Sequence, residues 1–285
     1  MRRKIISILM CPKCGGSLDL KIGKKSGDRI HEGDLRCNKC TANFKIIDDI
    51  ICFKLIAEKG LDKKIEKFKK SFLSQELNKK WLKYFNKKEL IALKEEWKWM
   101  IDKLNLKNNQ IHLDWATGSG RFIRNILDLV KGEIITLETD YATCLGLRDL
   151  LKEIKEYSKI TIIYGDARNM PLANNSVDSA SSWHGIDEPK INKAIDETKR
   201  VLKRNGVLIV SGLFFEDNSR SLKIALREKI EFAKKDKTQQ YFNKLGFKDI
   251  DRKIFFEGKW TSDKDFLPKK GDYYASYGVA GRKSD

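Results

Sequence analysis

An apolar run ending at Asp114, then Gly118 and Gly120 in a G-x-G step, then Phe122, Ile123, Ile126, Leu127 and Val130 at helical spacing leaves few folds open. The stretch spells strand, tight turn, helix. Glycine has no Cβ, so the turn lets backbone approach a ligand closely. The helix behind it aims free N–H groups at the same spot. Alone, the pattern is a weak signal that an ordinary strand–helix turn also produces. Three further strands follow. Glu133 to Glu138 leads to Asp140, twenty positions after Gly120; Ile160 to Tyr164 leads to Gly165-Asp166-Ala167; the strand at Val177 runs through Ser182 into Trp183-His184. Each stops on a small or acidic residue, so all four ends should share the carboxyl edge of one parallel sheet, where open α/β sheets bind ligands.

With LDWATGSGRF, LETDY, YGDARNMPL, VDSASSWHGIDEP and RVLKRNGVLIVSG in place, residues 107–285 resemble the class I S-adenosylmethionine (SAM) methyltransferases. A nicotinamide-binding protein would carry a third glycine where this chain has Ile123. The resemblance implies an α/β fold, a seven-stranded Rossmann-like sheet with helices on both faces. It implies SAM as cofactor. It puts Asp114 and the turn Ala116, Thr117, Gly118 and Gly120 at the methionine end, and Asp140, with Tyr141 beside it, on the ribose hydroxyls. Asp166 and the Ala167 N–H fall to adenine, and Ser182 to the space beneath the sulfonium. For Asp166 the competing role is a helix N-cap. The loop after the fourth strand hangs where an acceptor must come. It offers His184 as a base tuned to neutral pH, with Asp187 three residues on. The alternative for His184 is a bond to backbone or a cap on the helix from Ile191.

Ahead of this half stand Cys11-Pro12-Lys13-Cys14 and Cys37-Asn38-Lys39-Cys40. Each C-x-x-C turn points two sulfurs at one place, and two turns supply four thiolates for a tetrahedral Zn²⁺. Disulfides or a redox dithiol are the rivals, and the reading of a cytosolic chain weighs against disulfides. Four cysteines leave no open coordination position, so such a zinc is structural. Residues 9–55 are similar to the zinc ribbons at the front of rRNA guanine-N1 methyltransferases and to the small activator protein of RNA and protein methyltransferases. The rRNA enzymes usually end the ligand set with a histidine, where this chain has Cys40. Cys52 and Cys144 read as small apolar residues. The domains expected are a ribbon at 1–56, a helical linker or cap at 57–106, and the catalytic unit at 107–285.

In the linker, Ile65, Phe68, Phe72, Leu77, Trp81, Leu82 and Phe85 recur at helical steps, as do Leu90, Leu93, Trp97, Ile101 and Leu104. Residues 217–240 read as one charged helix, and 271–280 as the last strand. No apolar run is long enough to span a membrane. The net charge of +18 fits either a polyanion partner or a lysine-rich composition spread over the whole chain. Three functions follow. One is an RNA-modifying methyltransferase that grips phosphates with ribbon and basic helices. The second is a small-molecule or lipid methyltransferase whose ribbon is structural; an apolar, closed pocket over His184 would favour it. The third is a non-catalytic ribbon protein on a degenerate cofactor fold.

Overall fold

A computed structural model describes residues 1–56, 82–262 and 267–284. The linker residues Ile65, Phe68, Phe72, Leu77 and Trp81 lie outside the described residues.

Seven strands build the catalytic sheet: β5 (Ile111–Trp115), β6 (Glu133–Glu138), β7 (Ile160–Tyr164), β8 (Val177–Trp183), β9 (Leu202–Phe215), β10 (Phe247–Lys259) and β11 (Tyr273–Lys283). Their order is β7-β6-β5-β8-β9-β11-β10. The first five are mutually parallel, and β11 runs antiparallel between β9 and β10. All five residues of β7 are buried, as a parallel strand covered on both faces requires. Strand order reverses between β5 and β8, and that switch point opens the crevice at the carboxyl edge.

The four-cysteine module makes no sheet of its own. Its strands β1 (Leu18–Ser26), β2 (Arg29–Cys37), β3 (Asn43–Ile47) and β4 (Ile50–Cys52) form an antiparallel meander. The tight turn between β3 and β4 places Asp48 and Asp49 both at positive φ, the primed geometry that matches hairpin twist. β4 then pairs in parallel with β7, Ile50 against Ile162 and Cys52 against Tyr164, and the whole becomes one eleven-stranded sheet. One hydrophobic core runs across the joint, from Leu35, Phe44 and Phe53 to Ile163 and Leu172.

Several local expectations shift. The helix expected after Gly120 is only a 3-10 turn at Ile123–Asn125 followed by irregular turns, because the Asn125 side chain takes the Arg121 carbonyl at 2.9 Å. The charged segment 217–240 splits into helix Arg220–Arg227, a 3-10 turn at Glu231–Ala233 and helix Lys237–Lys244, with Lys229 and Asp236 at positive φ in the breaks. In the linker, α1 (Lys87–Leu104) starts on a capping box between Asn86 and Glu89. Its buried stripe is Glu89, Ala92, Leu93, Glu96, Met100 and Leu104, which keeps the expected Leu93 and Leu104 and leaves Leu90, Trp97 and Ile101 half-buried at its margin. Two acids therefore face inward. Cys52 and Cys144 are buried.

Candidate active site

The glycine turn is set by backbone need. Ala116, Gly118 and Gly120 all take positive φ. A Cβ on Gly118 would meet nothing within 4 Å, since this residue opens onto the crevice; one on Gly120 would lie 2.6 Å from Leu147 Cδ1. Thr117 Oγ1 locks the turn by donating to the Asp114 carbonyl at 2.9 Å. The Asp114 carboxyl itself stays beneath, buried, accepting from Ser181 Oγ. Burial lifts it to about 7. Under it, His112 sits between the hydroxyls of Ser179 and Ser181, held neutral because burial drops it to about 3.

The cleft over this turn encloses about 370 Å³. Of the residues named from sequence, Ala116, Gly118, Asp166, Ala167 and His184 line it. Asp114, Thr117, Gly120 and Ser182 brace it from behind, and Ser182 Oγ donates to the Trp115 carbonyl at 2.8 Å. Asp140 is elsewhere: it caps α2 (Tyr141–Glu153), accepting from Thr143 N at 3.2 Å and Thr143 Oγ1 at 2.8 Å, and Tyr141 packs on Tyr164. The acid that lines the cleft at the end of β6 is Glu138, bonded to Gly118 N at 3.0 Å and Thr139 N at 2.6 Å. Asp166 both caps the turn Ala167–Asn169 and faces the cleft. Burial works against its charge, but the Arg168 guanidinium and N–H hold its carboxyl below the usual range.

This lining fits an adenosyl group. Glu138 offers carboxylate acceptors for ribose hydroxyls, Asp166 sets a second carboxylate on the same wall, and Gly118 permits close backbone approach.

A second cavity, of about 270 Å³, lies on the other side of Trp183 and His184, and these two residues line both spaces. His184 stands at positive φ and donates from Nδ1 to Asp187 Oδ2 at 2.7 Å. Asp187 is anchored in turn by Leu213 N at 3.0 Å on its other oxygen. That tautomer leaves a lone pair on Nε2, 3.8 Å from Glu96 Oε1. Burial disfavours the imidazolium, yet the hydrogen bond and charge of Asp187, helped by Glu96, raise His184 above its ordinary value. Glu96, fixed by Trp183 Nε1 at 2.9 Å, is raised by burial. Glu89 and Glu96 escaped the sequence reading; the available signal was two acids seven apart, on one helix face.

Apart from this site, Cys11, Cys14, Cys37 and Cys40 bring their four sulfurs within 4.8 Å of one another, the one such metal-ready group among the described residues. The N–H groups of Lys39 and Cys40 both point at Cys37 Sγ at 3.4 Å, a donor pattern that suits a thiolate ligand. The set can hold a tetrahedral Zn²⁺.

Residues 113–206 match the family described as a methyltransferase domain. A demethylmenaquinone methyltransferase of Staphylococcus saprophyticus is 21% identical over 208 residues, covering 62% of this chain and 88% of the relative. One from Paenarthrobacter aurescens is 28% identical over 135 residues, 45% of this chain and 50% of the relative. Among solved structures, the YcgJ protein of Bacillus subtilis superposes with a TM-score of 0.55 at 14% identity, covering 67% of this chain and 99% of that one. Phosphoethanolamine N-methyltransferase 2 of Haemonchus contortus, solved with phosphomonomethylethanolamine and S-adenosylhomocysteine, gives 0.54 at 16% identity, covering 67% of this chain and 53% of that one. The family match falls on the strands that build the cleft and on none of the ribbon, so residues 113–206 carry a methyltransferase domain whose sheet is joined to a four-cysteine module.

Proposed function

We propose that the acceptor is a small molecule held in the 270 Å³ cavity and that His184 removes its proton. One observation carries this: Trp183 and His184 form the partition between the cofactor cleft and a ring-walled cavity. Bound SAM supplies an activated methyl carbon. The chain's own residues then have to align the acceptor, exclude water and take one proton. Asp187 orients the imidazole and favours the charged ring that results. The relatives support a small acceptor, since two are named for demethylmenaquinone and one was solved with phosphomonomethylethanolamine.

The RNA acceptor expected from charge and ribbon finds less support. Glu89, Glu96 and Asp187 gather where a nucleotide would enter, and clustered carboxyls repel phosphate. We assign Asp114, Thr117, Gly120 and Ser182 to bracing the cofactor turn, and Glu138 to the ribose role first given to Asp140. The four cysteines hold a structural Zn²⁺. Among the described residues no helix is long and apolar enough to cross a membrane.

The test is incubation with methyl-labelled SAM and cell extract, split into a small-molecule filtrate and a macromolecular fraction with and without nuclease. Label in the filtrate, untouched by nuclease, is the expected result. Label confined to nuclease-sensitive material would overturn the reading in favour of RNA.

A further inference from the structure

The cavity beyond His184 has walls that say more about the acceptor. Three aromatic rings stand nearly at right angles in sequence: Phe85 against Trp260 at 73° with centroids 5.7 Å apart, and Trp260 against Tyr274 at 83° and 5.7 Å. Phe256 flanks Tyr274 at 5.2 Å, and Trp183 closes the side toward the cofactor cleft. Rings meeting edge to face make a box. Box walls of this kind attract a cation to their faces.

The charges on the same walls point the same way. Glu89 is 4% exposed and Glu96 2%. Glu89 is held by two donors, Tyr274 OH at 2.5 Å and Asn86 N at 2.6 Å. Both are neutral, and among the described residues no side-chain cation pairs with Glu89. A buried acid without a counter-charge is costly unless something supplies one. Glu96, besides its bond from Trp183, has His184 as its one counter-charge among the described residues, at 3.8 Å. With Asp187, three acids face Arg121 and His184 across one small space. Arg121 is itself partly desolvated, its guanidinium lowered to about 10 by burial.

We infer that the acceptor is an amine, bound as its ammonium form among Trp260, Tyr274 and Phe85, with Glu89 and Glu96 as counter-charges. The inference rests on the methyltransferase reading above and narrows it. The chemistry closes. An ammonium N–H gives its proton to His184 Nε2. The freed nitrogen lone pair forms the N–C bond to the methyl carbon while the C–S bond breaks, its electron pair staying on sulfur. The product nitrogen is again a cation, so the same rings and acids hold it.

The probes are choline and its neutral carbon isostere, dimethylbutanol, titrated into the full chain saturated with S-adenosylhomocysteine. Tryptophan fluorescence and calorimetry read binding. Choline should bind at least about tenfold more tightly than the isostere. Glu89→Gln, which keeps the helix cap, and Trp260→Leu should each erase that preference, with S-adenosylhomocysteine affinity unchanged within about twofold. Equal binding of both probes, or tighter binding of dimethylbutanol, overturns the amine assignment. Labelled transfer from SAM to dimethylaminoethanol, and none to phenols, would support it; transfer to phenols alone would overturn it and leave the small-molecule reading standing. Failure to bind S-adenosylhomocysteine at all would sink both.

Discussion

The cofactor cleft draws its lining from four successive loops between residues 116 and 191, all at the carboxyl edge of adjacent parallel strands. The proposed acceptor cavity draws on residues from Phe85 to Ser276, carried by α1 and the residues just before it, Arg121 of the glycine turn, β9, the end of β8 with the loop after it, and the β10–β11 hairpin. The first leans on the ribbon. Met10 N donates to the Pro171 carbonyl at 3.1 Å, and Asn169 Nδ2 to the Pro12 carbonyl, inside the first cysteine turn, at 2.9 Å. The second leans on a helix that carries none of the family match. Under the proposed function, the sheet edge is a fixed platform for one ligand, and the elements laid over it are where the other ligand is chosen. A perturbation on the ribbon side should damage cofactor binding, and one on the α1 side should damage acceptor choice.

The largest effect should come from the metal. Structural zinc sites commonly contribute about 10 kcal/mol or more to the folding of their modules. Cys37→Ser, or stripping the metal with a strong chelator, should melt the β1–β3 meander and free the loop at 166–173 through the Pro12 and Pro171 bonds. We expect S-adenosylhomocysteine affinity to fall at least about tenfold, with amide exchange rising first in 1–56 and 166–173 while α1 stays protected. Intact cofactor affinity after complete metal loss would break the comparison at its base.

His184→Ala is next, and it sits on the partition. Loss of a general base should lower kcat by about 10²- to 10⁴-fold. Cofactor affinity, measured by calorimetry, should change little. The pH profile carries the sign. Only the neutral imidazole can accept a proton, and Asp187 raises the ring above its ordinary value. Activity should therefore climb with pH through a value above the usual histidine range. In Asp187→Asn that inflection should move to lower pH. A profile that ignores Asp187 would remove His184 from the base role.

Glu138→Ala should act on the cofactor side alone. It strips an acceptor from Gly118 N and from the proposed ribose position, a loss of about 1–3 kcal/mol, or roughly five- to 150-fold in S-adenosylhomocysteine affinity. Asp140→Ala should instead weaken the start of α2 by about 1 kcal/mol, seen in thermal unfolding, with cofactor affinity little changed. The reverse pattern would restore the ribose role to Asp140.

That pair also shows what the chain discloses about itself. The glycine turn, the strand ends and the two cysteine pairs are local patterns, and each lies where spacing puts it. At the end of β6 a cleft-lining acid, Glu138, and a helix-capping acid, Asp140, sit two residues apart, and spacing alone does not separate the two roles. Glu89 and Glu96 were hidden for a different reason. Which face of α1 is buried depends on packing against β9, β10 and β11, and three- and four-residue steps fit two neighbouring stripes. The parallel seam of β4 on β7 joins residues more than a hundred positions apart. No local pattern announces such a pairing.

The effect of opposite sign, a gain in stability, is expected at Asp114, the acid buried beneath the turn. It is fully enclosed, raised to about 7, and bonded to Ser181 Oγ. Asparagine is neutral, nearly the same shape, and keeps an oxygen for that hydroxyl. In the unfolded chain the carboxyl ionises near its ordinary value of about 3.9. Between about pH 4 and pH 7 the folded protein therefore holds the extra proton, and stability falls as pH rises across that window. The variant has no such proton. Asp114→Asn should match the parent near pH 4 in thermal unfolding and become the more stable of the two by pH 7, the gap then staying level. A gap of the opposite sign would mean that the turn needs the ionised carboxylate, and would move Asp114 from bracing the cleft to serving the cofactor directly.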